Sequence, residues 1–433
     1  MSRRSLSVVV PTRLRRVAAA STAVTVLLTA GIALVGTSGP ASAAPRSTTL
    51  SLGATHGHKQ PSPSPSPSPS PSPSPSPTST TSTTSTTATT TGGSTYDSAT
   101  VSAVAAEADW ILRTQLSDGA IATQTDHLHV WPYLADFAAQ GLAQATRVTG
   151  NSAYAAAAWK WLAWYAAHED SNGFVTDYTW NGSAMASSGT MDSTDAYAGT
   201  FLTAARAAWL TTNDLTQLSA LHTGIAGAVK AIEATVDADG LTWAKPSWHV
   251  KYLMDVAETY SGLRSAVVLA QALGDATLAS RAAADATAMK AGIDSLWDSA
   301  AANYHYAKYD SGVLQTSSWT YLYPDALEQA WAAAYGVAPA DRTSALMSTF
   351  TTMQPQWASP AATATFDSGT QTVGYWPVAG WALLRAGRTA DALAAATSIR
   401  QAAIAAGRAW PYTSGNAGQL IVLESSALDL VTP

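Results

Sequence analysis

The chain has 433 residues, no cysteine, a formal net charge of −6 and only 12% charged residues, against roughly a quarter in an average protein. The missing thiol excludes disulfides, cysteine–zinc sites, thiol nucleophiles and a lipid anchor on cysteine. The acidic balance, without a basic stripe to neutralise phosphates, argues against a nucleic-acid partner.

Residues 1–43 read as a signal peptide. Arg3, Arg4, Arg13, Arg15 and Arg16 form the positive end, Val17 to Val35 is the apolar core, and Ala41-Ser42-Ala43 is a small-residue cleavage site. The apolar run nearly suffices to span a bilayer, but the Ala-x-Ala site points to removal rather than anchoring. The mature chain is therefore expected outside the cell, secreted or on the cell wall, with no membrane attachment. Ser2-Arg3-Arg4 fits twin-arginine export and the later arginine pair fits the general route; both stay open.

Residues 44–97 read as a disordered linker rich in Pro, Ser and Thr. His56 and His58 sit in its polar leader, too short to fold. Pro61 to Pro77 alternates strictly with Ser and should run as polyproline II, about 3.1 Å per residue and roughly 50 Å in all. Thr78 to Thr91 offers sites for O-glycosylation. The stretch resembles linkers of secreted actinobacterial polysaccharidases, which tether a binding module to a catalytic one. No folded module is expected on its N-terminal side.

From Ser98 onward the pattern is helical. Val101, Val104, Ala105, Ala108, Ile111 and Leu112 mark one face, and alanine dominates the remaining three quarters of the chain, which favours helix. Breaks at Gly, Pro and Asn/Asp clusters predict twelve helices, at 98–116, 131–149, 152–169, 192–211, 214–236, 250–273, 275–299, 321–335, 340–353, 373–386, 388–406 and 416–430. They form six pairs with a period of about 50–60 residues, longer than ordinary helical solenoid repeats. Joins between pairs are tight, such as Gly150-Asn151 and Gly274-Asp275. Joins within pairs are long and rhyme: Ser117-Asp118-Gly119, Ser171-Asn172-Gly173, Ala238-Asp239-Gly240. Six hairpins with every long loop at one end predict a closed all-α toroid over residues 98–433, with its loops forming one rim where function should sit.

The long loops gather aromatic and acidic residues, and all sixteen Trp lie at or after Trp110. Sugars suit this mixture: their C–H faces stack on rings, while their hydroxyls seek Asp, Asn, His and Tyr. Candidate substrate contacts are Asp126, His127 and Trp131 in the first loop, Tyr178 and Trp180 in the second, and Trp248, His249 and Tyr252 in the third. Tyr306 and Trp319 represent the fourth, Trp376 the fifth and Trp410 the sixth. The competing reading has these aromatics packing the loops onto the barrel.

The chemistry on offer is carboxylate chemistry. Glycoside hydrolysis needs a protonated acid on the leaving oxygen and a second carboxylate as base or nucleophile. Asp192, Asp195, Asp255, Glu258, Asp325 and Glu328 all fall at starts of even-numbered helices, the inner helices of a toroid, so they should converge on the central cleft. Asp192 and Asp255 are taken as the catalytic pair, with Asp195 and Glu258 as support or substitutes. The acid-x-x-acid spacing equally fits capping boxes, with Asp192 as the cap and Asp195 reaching back. His127-Leu128-His129 alternates in direction and does not make one metal site. Asp255 and Glu258, with His249 nearby, are also weighed as a cation site, against which stands zinc's need for three or four converging ligands. No Gly-x-Ser-x-Gly, P-loop or dinucleotide fingerprint occurs. No cofactor or metal is expected.

These features, with the stretches Trp248-His249-Val250-Lys251-Tyr252-Leu253-Met254-Asp255 and Asp192-Ser193-Thr194-Asp195, resemble the six-hairpin glycosidase superfamily, the (α/α)6 toroids. The resemblance covers residues 98–433 and matches no single glycosidase family. It implies the fold, a poly- or oligosaccharide substrate and, for most members, hydrolysis with inversion. Some members are uronyl hydrolases, polysaccharide lyases or sugar epimerases, and a non-catalytic carbohydrate-binding or cell-wall protein is a further alternative. The chain is expected to act as a monomer.

Overall fold

The computed structural model describes residues 96–359, 363–365 and 371–433. The expected signal peptide, nearly all of the expected linker, and Asp367 of the fifth loop lie outside the described residues.

The described residues form thirteen α-helices: α1 (Ser98–Thr114), α2 (Pro132–Thr149), α3 (Ser152–Ala167), α4 (Thr194–Thr212), α5 (Leu215–Ala220), α6 (His222–Glu233), α7 (Leu253–Leu273), α8 (Ala276–Asp294), α9 (Leu327–Ala334), α10 (Ala340–Met353), α11 (Pro377–Arg385), α12 (Thr389–Ala405) and α13 (Ser414–Glu424). Helices α2, α4, α7, α9, α11 and α13 pack on one another in that order, and α13 closes on α2. The others form an outer layer. This is the expected (α/α)6 toroid, and the expected even-numbered helices are the inner ones. Burial follows the layers: α4 is buried along nearly its whole length, whereas α8 buries one stripe.

Two differences have local causes. The expected helix 214–236 is two helices, because the chain breaks at Leu221 and restarts at His222. There His222 Nε2 lies 2.9 Å from Asp275 Oδ2. Ahead of α9, residues Leu322–Ala326 form a π-type turn with Tyr323 in extended conformation.

Glycine allows the close approaches this ring needs. A Cβ at Gly262 would collide with the backbone of Gly199, so α7 and α4 cross through that pair. In the rhyming loops Gly119, Gly173 and Gly240 all take positive φ, and each abuts the backbone of an outer helix, at Lys160, Gly227 and Ala288 respectively. A side chain would be strained and obstructed at all three.

The C-terminal residues occupy the end of the ring away from the long loops. Arg206 of α4 donates from Nη2 to the Asp429 carbonyl at 2.6 Å. Gln140 of α2 donates to the Leu430 carbonyl at 2.8 Å, and Ser261 of α7 donates to that of Val431.

The long loops carry short antiparallel strands. His129–Val130 pairs with Tyr178–Trp180, which pairs with Met185–Ser187. Val250–Tyr252 pairs with Ala307–Tyr309, which pairs with Leu314–Gln315. These ribbons fix the rim above the N-terminal ends of α4 and α7.

Candidate active site

Helix α4 starts at Thr194 because Ser193, in extended conformation, caps it and accepts from the Ala196 N–H at 3.3 Å. This corrects the capping reading of Asp192, which lies one residue before the cap. Its carboxyl is spared that task. Asp192 is solvent-accessible, yet enough protein surrounds it that desolvation pushes its carboxyl up to about 6, with Lys245 pulling the other way. Accessible and desolvated together describe a carboxyl in a concavity. Lys245 is held nearby by donating to the Met191 carbonyl at 2.7 Å.

Asp195 is 0% exposed and its oxygens are filled. It accepts from Ser193 Oγ at 2.6 Å, from Thr242 Oγ1 at 2.5 Å and from the Ala196 N–H at 2.9 Å. Burial raises it to about 6 against those bonds. It anchors the third loop to α4.

Asp255 sits in the first turn of α7, half-buried. A helix N-terminus favours an ionised carboxylate. Here burial prevails, reinforced by Asp195, Glu258, Glu328 and Asp192, and holds Asp255 well above the usual carboxylate range. Its Oδ2 lies 3.2 Å from Ser193 Oγ.

One turn on, Glu258 is 1% exposed and forms a hub. Its Oε1 accepts from Tyr133 at 2.9 Å, Trp331 Nε1 at 2.7 Å and Tyr335 at 3.5 Å, drawing α2, α7 and α9 together. Its Oε2 is buried without a partner. Burial lifts it to about 8 despite the donors. Glu328 accepts from the Met254 N–H, and Asp325 accepts from the Ser318 N–H at 2.6 Å. These buried groups brace the helix starts.

Residues outside the expected set complete the recess. Asp177 Oδ1 accepts from the Tyr197 hydroxyl at 2.9 Å, and that hydroxyl accepts from the Asp192 N–H at 3.4 Å. Burial lifts Asp177 to about 7. Tyr133 stacks on Tyr197 with ring centres 6.1 Å apart. Tyr323 stacks on Trp376 at 5.6 Å, and burial, then Asp192, Glu328 and Asp255, hold its hydroxyl well above the usual range. The cue for Asp177 and Tyr197 lay in the sequence, as a loop carboxylate and a helix-start aromatic. Tyr133 stands among the aromatic residues of the first long loop, whereas Trp331 reads as helix core.

The expected contacts divide. Tyr252 and Trp376 belong to the recess; Tyr252 feels Asp255 and Glu328, and its hydroxyl accepts from Trp248 Nε1 at 3.3 Å. Trp410 and Trp180 are 47% and 42% exposed on the rim, and Trp131 meets Trp410 edge-on at 5.7 Å. Tyr178 instead packs edge-on against Trp164 at 5.0 Å and His168 at 5.3 Å, so it secures the loop. Asp126 accepts from the Leu128 N–H at 3.1 Å in a local turn, and the His127 ring bonds the Arg113 carbonyl of α1 at 2.9 Å. His249 stacks on Trp243 at 3.8 Å with its ring nitrogens near Asp310 and the Pro246 carbonyl. Tyr306 bridges through its backbone, donating to Gln315 and accepting from the Leu253 N–H. The Trp319 carbonyl accepts from Gln354 at 2.7 Å. Among the described residues no group of three or more His, Asp or Glu could hold a metal ion, and no helix is long and apolar enough to cross a membrane.

Comparison with solved structures finds the same fold. A glycosidase variant in complex with glucose aligns with a TM-score of 0.54 at 16% identity, covering 78% of this chain and 100% of that one. A rhamnosidase from Klebsiella oxytoca with rhamnose bound gives 0.53 at 15%, covering 77% of this chain and 65% of that one. A GH63 mannosylglycerate hydrolase from Thermus thermophilus in complex with glucose gives 0.53 at 13%, covering 74% and 99%. No protein-family model matches the sequence, and no curated protein matches it.

Proposed function

We propose that this protein is a secreted glycoside hydrolase, acting as a monomer on a poly- or oligosaccharide, with Asp255 as general acid and Asp192 as general base. The observation that carries the reading is the division among the carboxyls. Asp192 and Asp255 remain open to the cleft, whereas Asp195, Glu258, Asp325 and Glu328 are buried.

Two carboxyls held in different protonation states are what glycoside cleavage requires. Asp255 sits among four other carboxyls and keeps its proton. That proton goes to the glycosidic oxygen as the bond to the anomeric carbon breaks. Asp192, at about 6 with Lys245 beside it, is ionised at neutral pH and takes a proton from the attacking water. Water delivered from the face opposite the leaving group inverts the anomeric centre. Rings at the recess and rim supply stacking surfaces for sugar units. Secretion rests on the signal sequence in residues 1–43. A base for a lyase or epimerase would come from His127, His249 or His305; the first two bond backbone carbonyls, and His305 Nδ1 is buried without a partner.

The test is proton NMR of the first product formed from a cleaved glycan. Product of inverted anomeric configuration supports the scheme, and retained configuration refutes the base role of Asp192.

A further inference from the structure

Two rings stand where the toroid closes. Helices α13 and α2, the last and first of the inner layer, approach as closely as glycine permits, because a Cβ on Gly141 would lie 2.4 Å from the Gly418 Cα. Trp131 directly precedes α2 and Trp410 shortly precedes α13, so this seam brings the first and sixth loops together. Their rings meet edge-on at 88° and form a right-angled corner. Trp410, the more exposed ring, is its floor and Trp131 its wall. Polar groups flank the wall: the His129 ring lies 6.1 Å from that of Trp131, and its Nδ1 lies 3.4 Å from Thr179 Oγ1.

The floor is braced from beneath on both flanks. Arg408 donates to Glu107 of α1 from Nη2 at 2.6 Å and from Nε at 3.1 Å, and Tyr412 donates to the same carboxylate at 2.8 Å. Glu107 is fully buried. Gln124 of the first loop donates to the Tyr412 carbonyl, and the Ser414 N–H donates to that of Thr123 at 3.0 Å. Packing accounts for Tyr412, which is buried against Trp110. It does not account for Trp410, which turns 47% of its surface to solvent on the same fixed loop. An exposed ring held this way loses little freedom when something stacks on it.

The corner adjoins the recess. Tyr133, in the first turn after Trp131, stacks on Tyr197 at 6.1 Å, and the Tyr197 hydroxyl accepts from the Asp192 N–H. From this continuity we infer that the Trp410–Trp131 corner is a second sugar subsite. It stacks the C–H face of a pyranose belonging to the same glycan, beyond the unit seated at Asp192 and Asp255. Trp410 covers that face, Trp131 confines its edge, and His129 and Thr179 offer hydrogen bonds to its hydroxyls. Apolar burial on a ring supplies the affinity, so each chain long enough to reach the corner binds tighter than one that stops short. The substrate is therefore a glycan held over several units rather than a simple glycoside. The inference rests on the carbohydrate reading above and extends it to chain length.

The test is calorimetric binding of oligosaccharides, from disaccharide to hexasaccharide, to the full secreted chain carrying Asp255→Asn so that the ligand survives. The probes are the β-1,4-glucan, α-1,4-glucan, xylan and chitin series. In a series that binds, Kd should fall at least about tenfold at one added unit. Adding Trp410→Ala should remove that step, and adding Trp131→Ala, on a different loop, should remove it too, so a folding failure in one variant leaves the other to decide. A Kd flat with length, or a step that survives in both folded variants, overturns the inference; the hydrolase reading then still stands if the unsubstituted protein releases product. A step unmoved by Trp410→Ala, with a dimer in light scattering that this change dissolves, gives the corner to a second copy of the chain and overturns it as well. Silence in every series overturns it together with the carbohydrate reading. The expected step in a protein that hydrolyses no glycan leaves it standing and removes only the hydrolase reading.

Discussion

The Ser193 hydroxyl lies 3.2 Å from Asp255 Oδ2 while lying 2.6 Å from Asp195 Oδ1. Serine has one hydroxyl proton. Donated across the shorter gap, it leaves Asp255 facing a lone pair, an arrangement that an Asp255 carrying its own proton satisfies. Hydrogen bonding and burial therefore agree on Asp255 as the protonated partner.

Substituting that pair separates their roles. Asp255→Asn should lower kcat/KM about 10²–10⁴-fold on natural glycans and far less on aryl glycosides, whose leaving groups need no proton. Asp192→Asn should fail equally on both. Circular dichroism should show both variants folded. Equal losses on both substrates for Asp255→Asn would contradict its role as acid.

The pH profile of kcat/KM should be bell-shaped. Activity should fall on the acid side as Asp192 protonates near its value of about 6, and on the alkaline side as Asp255 loses its proton. Lys245 pulls Asp192 down, so Lys245→Met should move the acid limb upward. An acid limb unmoved by that change would place the base elsewhere.

Much of this was legible in the sequence. The alternation of tight and long joins over six helix pairs, with three long joins that rhyme, marked the toroid, and acid-x-x-acid spacing marked the starts of α4 and α7. The cap was one residue off because Asp and Ser both cap well, and only tertiary position frees Asp192. Tyr178 read as a sugar contact because pattern alone cannot tell a ring facing a cleft from one wedged on Trp164. The Glu258 hub was hidden because Trp331 and Tyr335 lie within a helix and are polar only at one atom, and pattern alone does not aim the first-loop Tyr133 at Glu258.

Stability should fall as pH rises. Glu258 at about 8 and Asp177 at about 7 keep protons in the folded chain that the unfolded chain loses above roughly 4.5. The folded state then binds more protons between those limits, so stability is full below the unfolded value and is lost through the folded one. Thermal melts should give a lower Tm at pH 8 than at pH 5, with a shallower decline in Glu258→Gln. A Tm that rises over that range would contradict the sign.

Glu258→Ala should cost roughly 3 kcal/mol, because it strands buried donors of Tyr133, Trp331 and Tyr335. Glu258→Gln keeps an acceptor and should cost less. Equal Tm losses would mean the hub is packing rather than hydrogen bonding.

Arg206 is 4% exposed and holds the C-terminal carbonyls. Arg206→Met should lower stability by about 2 kcal/mol and leave kcat/KM unchanged, since the residue lies at the far end of the ring. Lost activity in a folded variant would tie that end to the cleft.

The most direct test of the central claim is release of new reducing ends by the purified secreted protein from a panel of bacterial and plant glycans. The account predicts release from a glycan of the panel, abolished in Asp192→Asn and in Asp255→Asn. Release that persists in either variant, or product absorbing near the ultraviolet edge without water addition, would contradict it.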